Sequence, residues 1–239
     1  EGTLPHGVLV VHGFTGSPGS MRGLAEAFAG AGFHVEMPLL PGHGTSVDDM
    51  VPTRWSDWLG GAEEAYQRLA GRSERVVVAG LSMGGALTLR LGLDHPEIAG
   101  LVCVNPATTA FPEELLGAFD AMVDGGMETM DAIGSDIADP DQTEIAYDAT
   151  PIRALLSLVR DGLAPMQDRY GDLTMPLLLC TSPQDHVVDP AQGDHLASTY
   201  GGDVERISLE RSFHVATQDF DKDLIESSAI AFAQRVTGT

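Results

Sequence analysis

Residues 76–92 read VVVAGLSMGGALTLRLG. Consecutive valines lead into Gly80-Leu81-Ser82-Met83-Gly84-Gly85, and an apolar helical pattern follows. β-branched runs suit strands, so the glycine-rich turn joins a predicted strand to a predicted helix. Glycines alone would make that turn. The serine between them needs a chemical reason. In G-x-S-x-G, the flanking glycines relieve the crowding of a sharp strand-to-helix turn. The hydroxyl then projects above the sheet edge, near the positive end of the following helix. Ser82 is the candidate nucleophile.

Outward from this turn, apolar strand patterns recur at 7–12, 33–38, 75–80, 99–104, 175–181 and 203–209, with helical patterns between most of them. Met21, Leu24, Ala25 and Phe28 share one face of a helix that Gly32 is placed to end. Pro52-Thr53 is a plausible cap for a helix carrying Trp55, Trp58 and Leu59. Pro96 stops the helix after the turn, and Asp189-Pro190 opens another. Continuous apolar strands alternating with helices predict an α/β fold, a mostly parallel central sheet with helices on both faces. Ligands of such sheets bind along the strand C-termini.

Between Asn105 and about Tyr170 no strand is expected. Helical patterns and the acidic ADPDQTE fill the interval. Lying after the fourth predicted strand, it reads as a small helical cap over the cleft. The expected division is a core of residues 1–106 and 171–239 with a cap insertion of 107–170.

The 239 residues carry a net charge of −22 and are 43% hydrophobic. One well-buried core is within reach of that length. The negative field disfavours nucleic acid and anionic lipid as partners. No apolar run approaches the ~20 residues that span a bilayer, so stable membrane insertion is not expected and a cytoplasmic location is. Cys103 and Cys180 sit in apolar strand runs and read as buried free thiols. No metal-ligand spacing occurs. Asp185, His186, Asp189, Asp194 and His195 follow no ligand pattern, so neither metal nor cofactor is expected.

A serine hydroxyl needs a base, and the base needs an orienting acid. His95 lies at the far end of the helix after Ser82, His195 within a predicted surface helix, and His186 beside a candidate acid. His214 follows the last strand and precedes the last helix, at the catalytic edge, and is the expected base. Asp185 ends a strand and is the preferred acid. Asp189 is the alternative, though the cap before Pro190 explains it. Asp219 and Asp221 read as helix-start residues. The oxyanion would be held by the backbone N–H of Met83, directly after the nucleophile, and that of Phe14, in the loop after the first strand. His12 is expected to anchor that loop by hydrogen bonding, and His43 to be structural.

The stretches HGFTGSP, PGHG, GLSMGG, D-x-x-x-D-P and SFHV together resemble the α/β-hydrolase superfamily, and within it the small bacterial carboxylesterases and monoacylglycerol lipases. The resemblance covers nearly the whole chain. It implies a Ser82–Asp185–His214 triad with Phe14 and Met83 in the oxyanion hole. It also implies cofactor-free hydrolysis of carboxylic esters through an acyl-enzyme. The sheet is expected to lack the two leading strands of larger relatives.

The expected partner is a small-molecule ester of short- to medium-chain acyl groups, and the expected state a monomer or homodimer. Phe14, Phe111, Phe119, Met122, Met127, Met130 and Leu155 are the expected acyl contacts, with Leu115 and Leu156 on the same apolar cap face. A thioesterase, lactonase or carbon–carbon bond hydrolase would use the same triad. A non-catalytic binding protein would usually lack part of it.

Overall fold

The computed structural model describes residues 2–132 and 134–239. Six parallel strands form one sheet: β1 (His6–Val11), β2 (His34–Glu36), β3 (Arg75–Leu81), β4 (Gly100–Val104), and two later strands that follow a long excursion. Within the first half, α1 (Arg22–Gly30), α2 (Val47–Met50), α3 (Trp55–Ala70) and α4 (Met83–Asp94) make the crossovers. The excursion contains α5 (Glu113–Asp124), β5 (Thr129–Asp131), β6 (Ala149–Pro151) and α6 (Ile152–Ser157). The last of these runs on through a π-helical stretch, Leu158–Leu163, into α7 (Ala164–Met166). The chain then returns with β7 (Leu177–Thr181), α8 (Ala191–Thr199), β8 (Val204–Ser208) and α9 (Lys222–Thr237).

The sheet order is β2-β1-β3-β4-β7-β8. All six strands fall where the apolar runs predicted them. Side chains alternate across the sheet with the strand period of two. Leu9, Val11, Val78, Leu101 and Leu177 pack on one face with Trp58 of α3. Val8, Val10, Val77, Val102 and Leu178 pack on the other with Phe28 of α1 and Phe232 of α9. Over the four central strands both faces are covered, which is why β1, β3, β4 and β7 read as nearly unbroken apolar runs. Each such side chain contributes about 1.5–3 kcal/mol by burial. Cys103 and Cys180 lie on adjacent strands but belong to opposite faces, and both are free thiols. Burial raises both thiol pKa values, Cys180 to about 12.

The order reverses at β1. After β1 the chain moves to one side to make β2, then crosses to the other side to make β3. Such a switch point opens a crevice at the strand C-termini. It places the loop after β1 and the turn after β3 side by side.

Several local expectations need correction. The excursion is not purely helical: β5 and β6 pair antiparallel, Met130 opposite Thr150. Three-residue strands are too short to show alternation in the sequence. The start of α3 is not capped by Thr53, whose hydroxyl bonds the Met50 carbonyl. Instead the Arg54 N–H donates to the Asp57 carboxylate. Gly162, in the π-helical stretch, lies against Trp55 of α3; a Cβ there would sit 2.7 Å from the indole. No helix among the described residues is long and apolar enough to cross a membrane.

Candidate active site

Ser82 joins β3 to α4 with φ 56 and ψ −118. A non-glycine residue at positive φ is uncommon and has to be held there by its surroundings. Here the Ser82 N–H donates to the Val104 carbonyl at 3.1 Å, and the Ser82 carbonyl accepts from Ala107 at 3.2 Å. The glycines are dictated by close approach. A Cβ on Gly80 would lie 2.1 Å from the Gly84 carbonyl oxygen, and one on Gly84 would lie 2.2 Å from that of Val11. The backbone of α4 therefore touches both neighbouring chain segments at the turn.

His214 lies in the loop between β8 and α9. Its Nδ1 donates to the Asp185 carboxylate at 2.7 Å, with side-chain exposures of 8% and 2% for the two residues. The other carboxylate oxygen of Asp185 accepts the N–H groups of Val187 and Val188, each at 2.8 Å. A carboxylate with these partners stays where it is and fixes the imidazole. The bond to Asp185 consumes Nδ1 and leaves Nε2 as the basic nitrogen. Ser82 and His214 line the same cavity, and among the described residues no hydrogen bond joins them. Asp189, the alternative acid, instead accepts from Ala191 at 2.9 Å at the start of α8.

The loop carrying His214 is tied at every backbone position around the imidazole. The Phe213 N–H donates to Asp219 at 2.9 Å, and its carbonyl accepts from the Ser182 hydroxyl at 2.8 Å. The His214 N–H donates to the Asp136 carboxylate at 3.0 Å, and its carbonyl accepts from the Asn105 amide at 2.8 Å. The Val215 N–H donates to the Asp136 carbonyl at 3.0 Å.

Asp219 is thus no simple helix-start residue, because it also accepts from Ala138 and Asp139 in the excursion. Asp221 turns back likewise, accepting from the Arg211 N–H and the Ser212 hydroxyl. Asn105, Ser182 and Asp136 were missed in the sequence. Short polar residues near strand ends were the only signal, and that signal is shared by ordinary turns.

Phe14 follows β1 and Met83 follows Ser82. Among the described residues neither N–H has a hydrogen-bond acceptor. Phe14 and Ser82 both line the cavity. The Phe14 ring packs edge-on to Trp58 at 5.5 Å.

Behind the loop, His12 Nε2 accepts from the Leu40 N–H at 3.2 Å, so its proton is on Nδ1, which donates to the Gly13 carbonyl at 2.9 Å. Burial lowers the His12 pKa to about 3, with help from His43 and against the Gly13 bond. Burial likewise lowers that of His43 to about 4. Both rings are neutral struts.

The cavity measures about 250 Å³. Phe14, Phe111, Phe119, Met130 and Leu155 of the expected acyl contacts line it, as does Leu115. Met122 and Met127 are not in its lining. Met122 packs from half-burial onto the core, and Met127 is 49% exposed. Met127 lies beyond the end of α5, where the chain turns at Gly126, φ 90, and carries it outward. Leu156 belongs to the buried core.

Two carboxylates unnoticed in the sequence, Asp136 and Glu144, reach the cavity wall. Burial raises the Glu144 pKa, and the nearby His214 partly offsets the rise. Tyr147, beside it, is bonded across the cleft. Its N–H donates to the Thr15 carbonyl at 3.0 Å, and its hydroxyl donates to the Gly42 carbonyl at 2.7 Å and accepts from Thr45.

The chain is similar to known proteins along nearly its whole length. The family described as "Serine aminopeptidase, S33" matches residues 5–221. The thermostable monoacylglycerol lipase of Bacillus sp. (strain H-257) is 42% identical over 98% of this chain and 92% of its own. The carboxylesterase of Bacillus subtilis (strain 168) is 24% identical over 96% and 92% of the two chains. Among solved structures, one from the work on LipS and LipT, two metagenome-derived lipolytic enzymes, superposes with a TM-score of 0.92. It has 39% identity, covering 98% of this chain and 96% of that one. The monoacylglycerol lipase of Paleococcus ferrophilus, 18% identical with a TM-score of 0.77, shares the fold. The chain belongs to the Serine aminopeptidase S33 family of α/β-hydrolases and is of its monoacylglycerol lipase and carboxylesterase type.

Proposed function

We propose that this protein hydrolyses monoacylglycerols and other carboxylic esters of short- to medium-chain acids through an acyl-Ser82 intermediate. The observation that carries the reading is the buried His214–Asp185 pair opening on the same cavity as a serine held at positive φ. His214 Nε2 takes the Ser82 proton as the oxygen attacks the ester carbonyl. The oxyanion forms against the N–H groups of Phe14 and Met83. The imidazolium, stabilised by Asp185, gives its proton to the leaving alcohol. Water enters, loses a proton to the same nitrogen, and releases the acid. Residues 107–170 act as a cap whose apolar inner wall holds the acyl chain. A cavity of about 250 Å³ lies near the lower end of small-molecule sites, typically ~300 Å³ and above, which favours shorter chains. Glu144, a carboxyl in the cavity wall, supplies a hydrogen-bonding group for the free hydroxyls of a glycerol leaving group.

The test is a chain-length series of monoacylglycerols and nitrophenyl esters, with fluorophosphonate labelling of the parent and of Ser82→Ala. The expected result is an optimum at short to medium chains and labelling that disappears in the variant. Labelling retained by Ser82→Ala would overturn the nucleophile assignment. Aminoacyl nitroanilides and thioesters belong in the same panel. Faster turnover of either than of esters would replace the ester reading by an aminopeptidase or a thioesterase.

A further inference from the structure

Residues 134–148 cross the cleft as a strap tied at both rims. On one side Tyr147 is bonded to Thr15 and to the 42–45 loop. On the other side the tie is Asp136, together with Ala138 and Asp139 held by Asp219. Asp136 is unusual in what it grips. One carboxylate oxygen accepts from the backbone N–H of His214 at 3.0 Å and from that of His186 at 3.1 Å. The other faces the His186 ring nitrogen Nδ1 at 2.8 Å. Its own carbonyl accepts from Val215. His186 directly follows Asp185. One residue of the strap therefore bonds both the loop that carries the acid and the loop that carries the base, and its side chain is only 12% exposed.

We propose that Asp136 is a positioning residue: it couples the seated strap to the alignment of His214 against Asp185 and Ser82. The argument is mechanical. His214 is held from below through its own carbonyl by Asn105, and through that of Phe213 by Ser182, both buried side chains. Its backbone N–H, the group that sets the tilt of the residue towards the cavity, is held by Asp136. Lifting the strap removes that acceptor and frees the acid loop at His186 in the same motion. The enzyme's base is then in full register only while the strap that encloses the substrate is down. Hydrolytic power is thereby tied to occupancy of the cleft.

The inference rests on His214 being the base, and the experiment separates the two. Asp136→Ala, Asp136→Asn and His214→Ala are prepared, and active sites are counted by exhaustive fluorophosphonate titration. For each variant, kcat per titrated site, KM for a nitrophenyl ester and the phosphonylation rate constant are measured. A positioning error of this kind costs about 10–100-fold. Asp136→Ala is expected to lose that factor in kcat and in phosphonylation together, with KM nearly unchanged. Asp136→Asn is expected to recover most of the loss, because its amide oxygen still accepts both backbone N–H groups and its NH₂ faces His186. A purely structural role would lower the titre and leave the rate per site alone.

Asp136→Ala with kcat and phosphonylation within roughly twofold of the parent overturns the positioning role. Should that variant fail to fold, Asp136→Glu displaces the carboxylate by one methylene and carries the same expectation and the same overturning result. His214→Ala with parental rates would instead overturn the assignment of the base.

Discussion

Asn105 and His214 are joined across the top of the sheet: the Asn105 side-chain amide donates to the His214 carbonyl at 2.8 Å. Asn105 directly follows β4 with φ 42, and its own amide oxygen accepts from the Ser182 N–H at 2.7 Å. One buried side chain at a strand end thus braces both the loop of His214 and the loop that runs from Ser182 to Asp185. An asparagine tolerates that backbone conformation better than most residues and supplies donor and acceptor together.

Asn105→Ala should therefore be costly. It strands the His214 carbonyl and the Ser182 N–H in a dry site, each worth about 1–3 kcal/mol, and places alanine at positive φ. Melting temperature is expected to fall by several degrees, at about 2–4 °C per kcal/mol for a chain of this size. Turnover per titrated site should fall with it. Thermal unfolding and active-site titration together check this, and an unchanged melting temperature would contradict the bracing role.

Gly84→Ala should remove activity altogether. The new Cβ meets backbone atoms of Val11 and His12, which cannot rotate away. The turn that presents Ser82 must then shift. Gly60→Ala in α3 is the matched control, since nothing lies within 4 Å of a Cβ there. It should stabilise the protein by about 1 kcal/mol. Fluorophosphonate titre and melting temperature of the two variants read the contrast.

Glu144→Leu should discriminate between substrates. If the Glu144 carboxyl binds the hydroxyls of a glycerol leaving group, its loss costs about 1.5–3 kcal/mol, roughly 10–100-fold in kcat/KM for a monoacylglycerol. A nitrophenyl ester of the same acid has no such hydroxyls and should be cleaved at close to the parental rate. Equal losses on both substrates would place Glu144 in the support of the cleft instead.

Acid stability should depend on two buried histidines behind the candidate site, His12 and His43. The folded protein holds the His12 pKa near 3 and the His43 pKa near 4, whereas the unfolded chain has the ordinary value of 6.5. Below pH 6.5 the unfolded state binds protons that the folded state refuses. These groups therefore leave stability unaffected above pH 6.5 and lower it as pH falls towards 4. The slope is up to about 1.4 kcal/mol per pH unit for each ring. His43→Gln, compared with the parent by chemical denaturation from pH 7.5 to 4.5, should flatten the profile by about one proton. A parallel profile would contradict the assignment of a neutral buried ring.

Those two rings also show how far the sequence could be read. The four central strands were legible because both sheet faces are buried there and the pattern is simply apolar. The turn at Ser82 was legible because glycines at fixed offsets have one steric reason. His214 followed from chain order along the sheet edge. What escaped was long-range polar bonding. Asn105, Ser182 and Asp136 lie far apart in sequence, and any one of them alone is an ordinary turn residue. The β5–β6 ribbon escaped because three residues carry no period. Met122 and Met127 were placed in the acyl wall by composition, whereas the end of α5 decides which way a side chain points. Glu144 closes the acidic tract ADPDQTE and Asp136 lies just ahead of it; both read as solvated surface until the strap is seen to cross the cleft.

The two native thiols, shut on opposite faces of the sheet, leave the folded molecule inert to maleimides and similar reagents. A cysteine introduced at Ile145, which is 76% exposed next to Glu144, would be the one reactive sulfur on the surface. A fluorescent or spin tag attached there would ride on the strap and report its rise and fall directly, with neither native cysteine to be removed first.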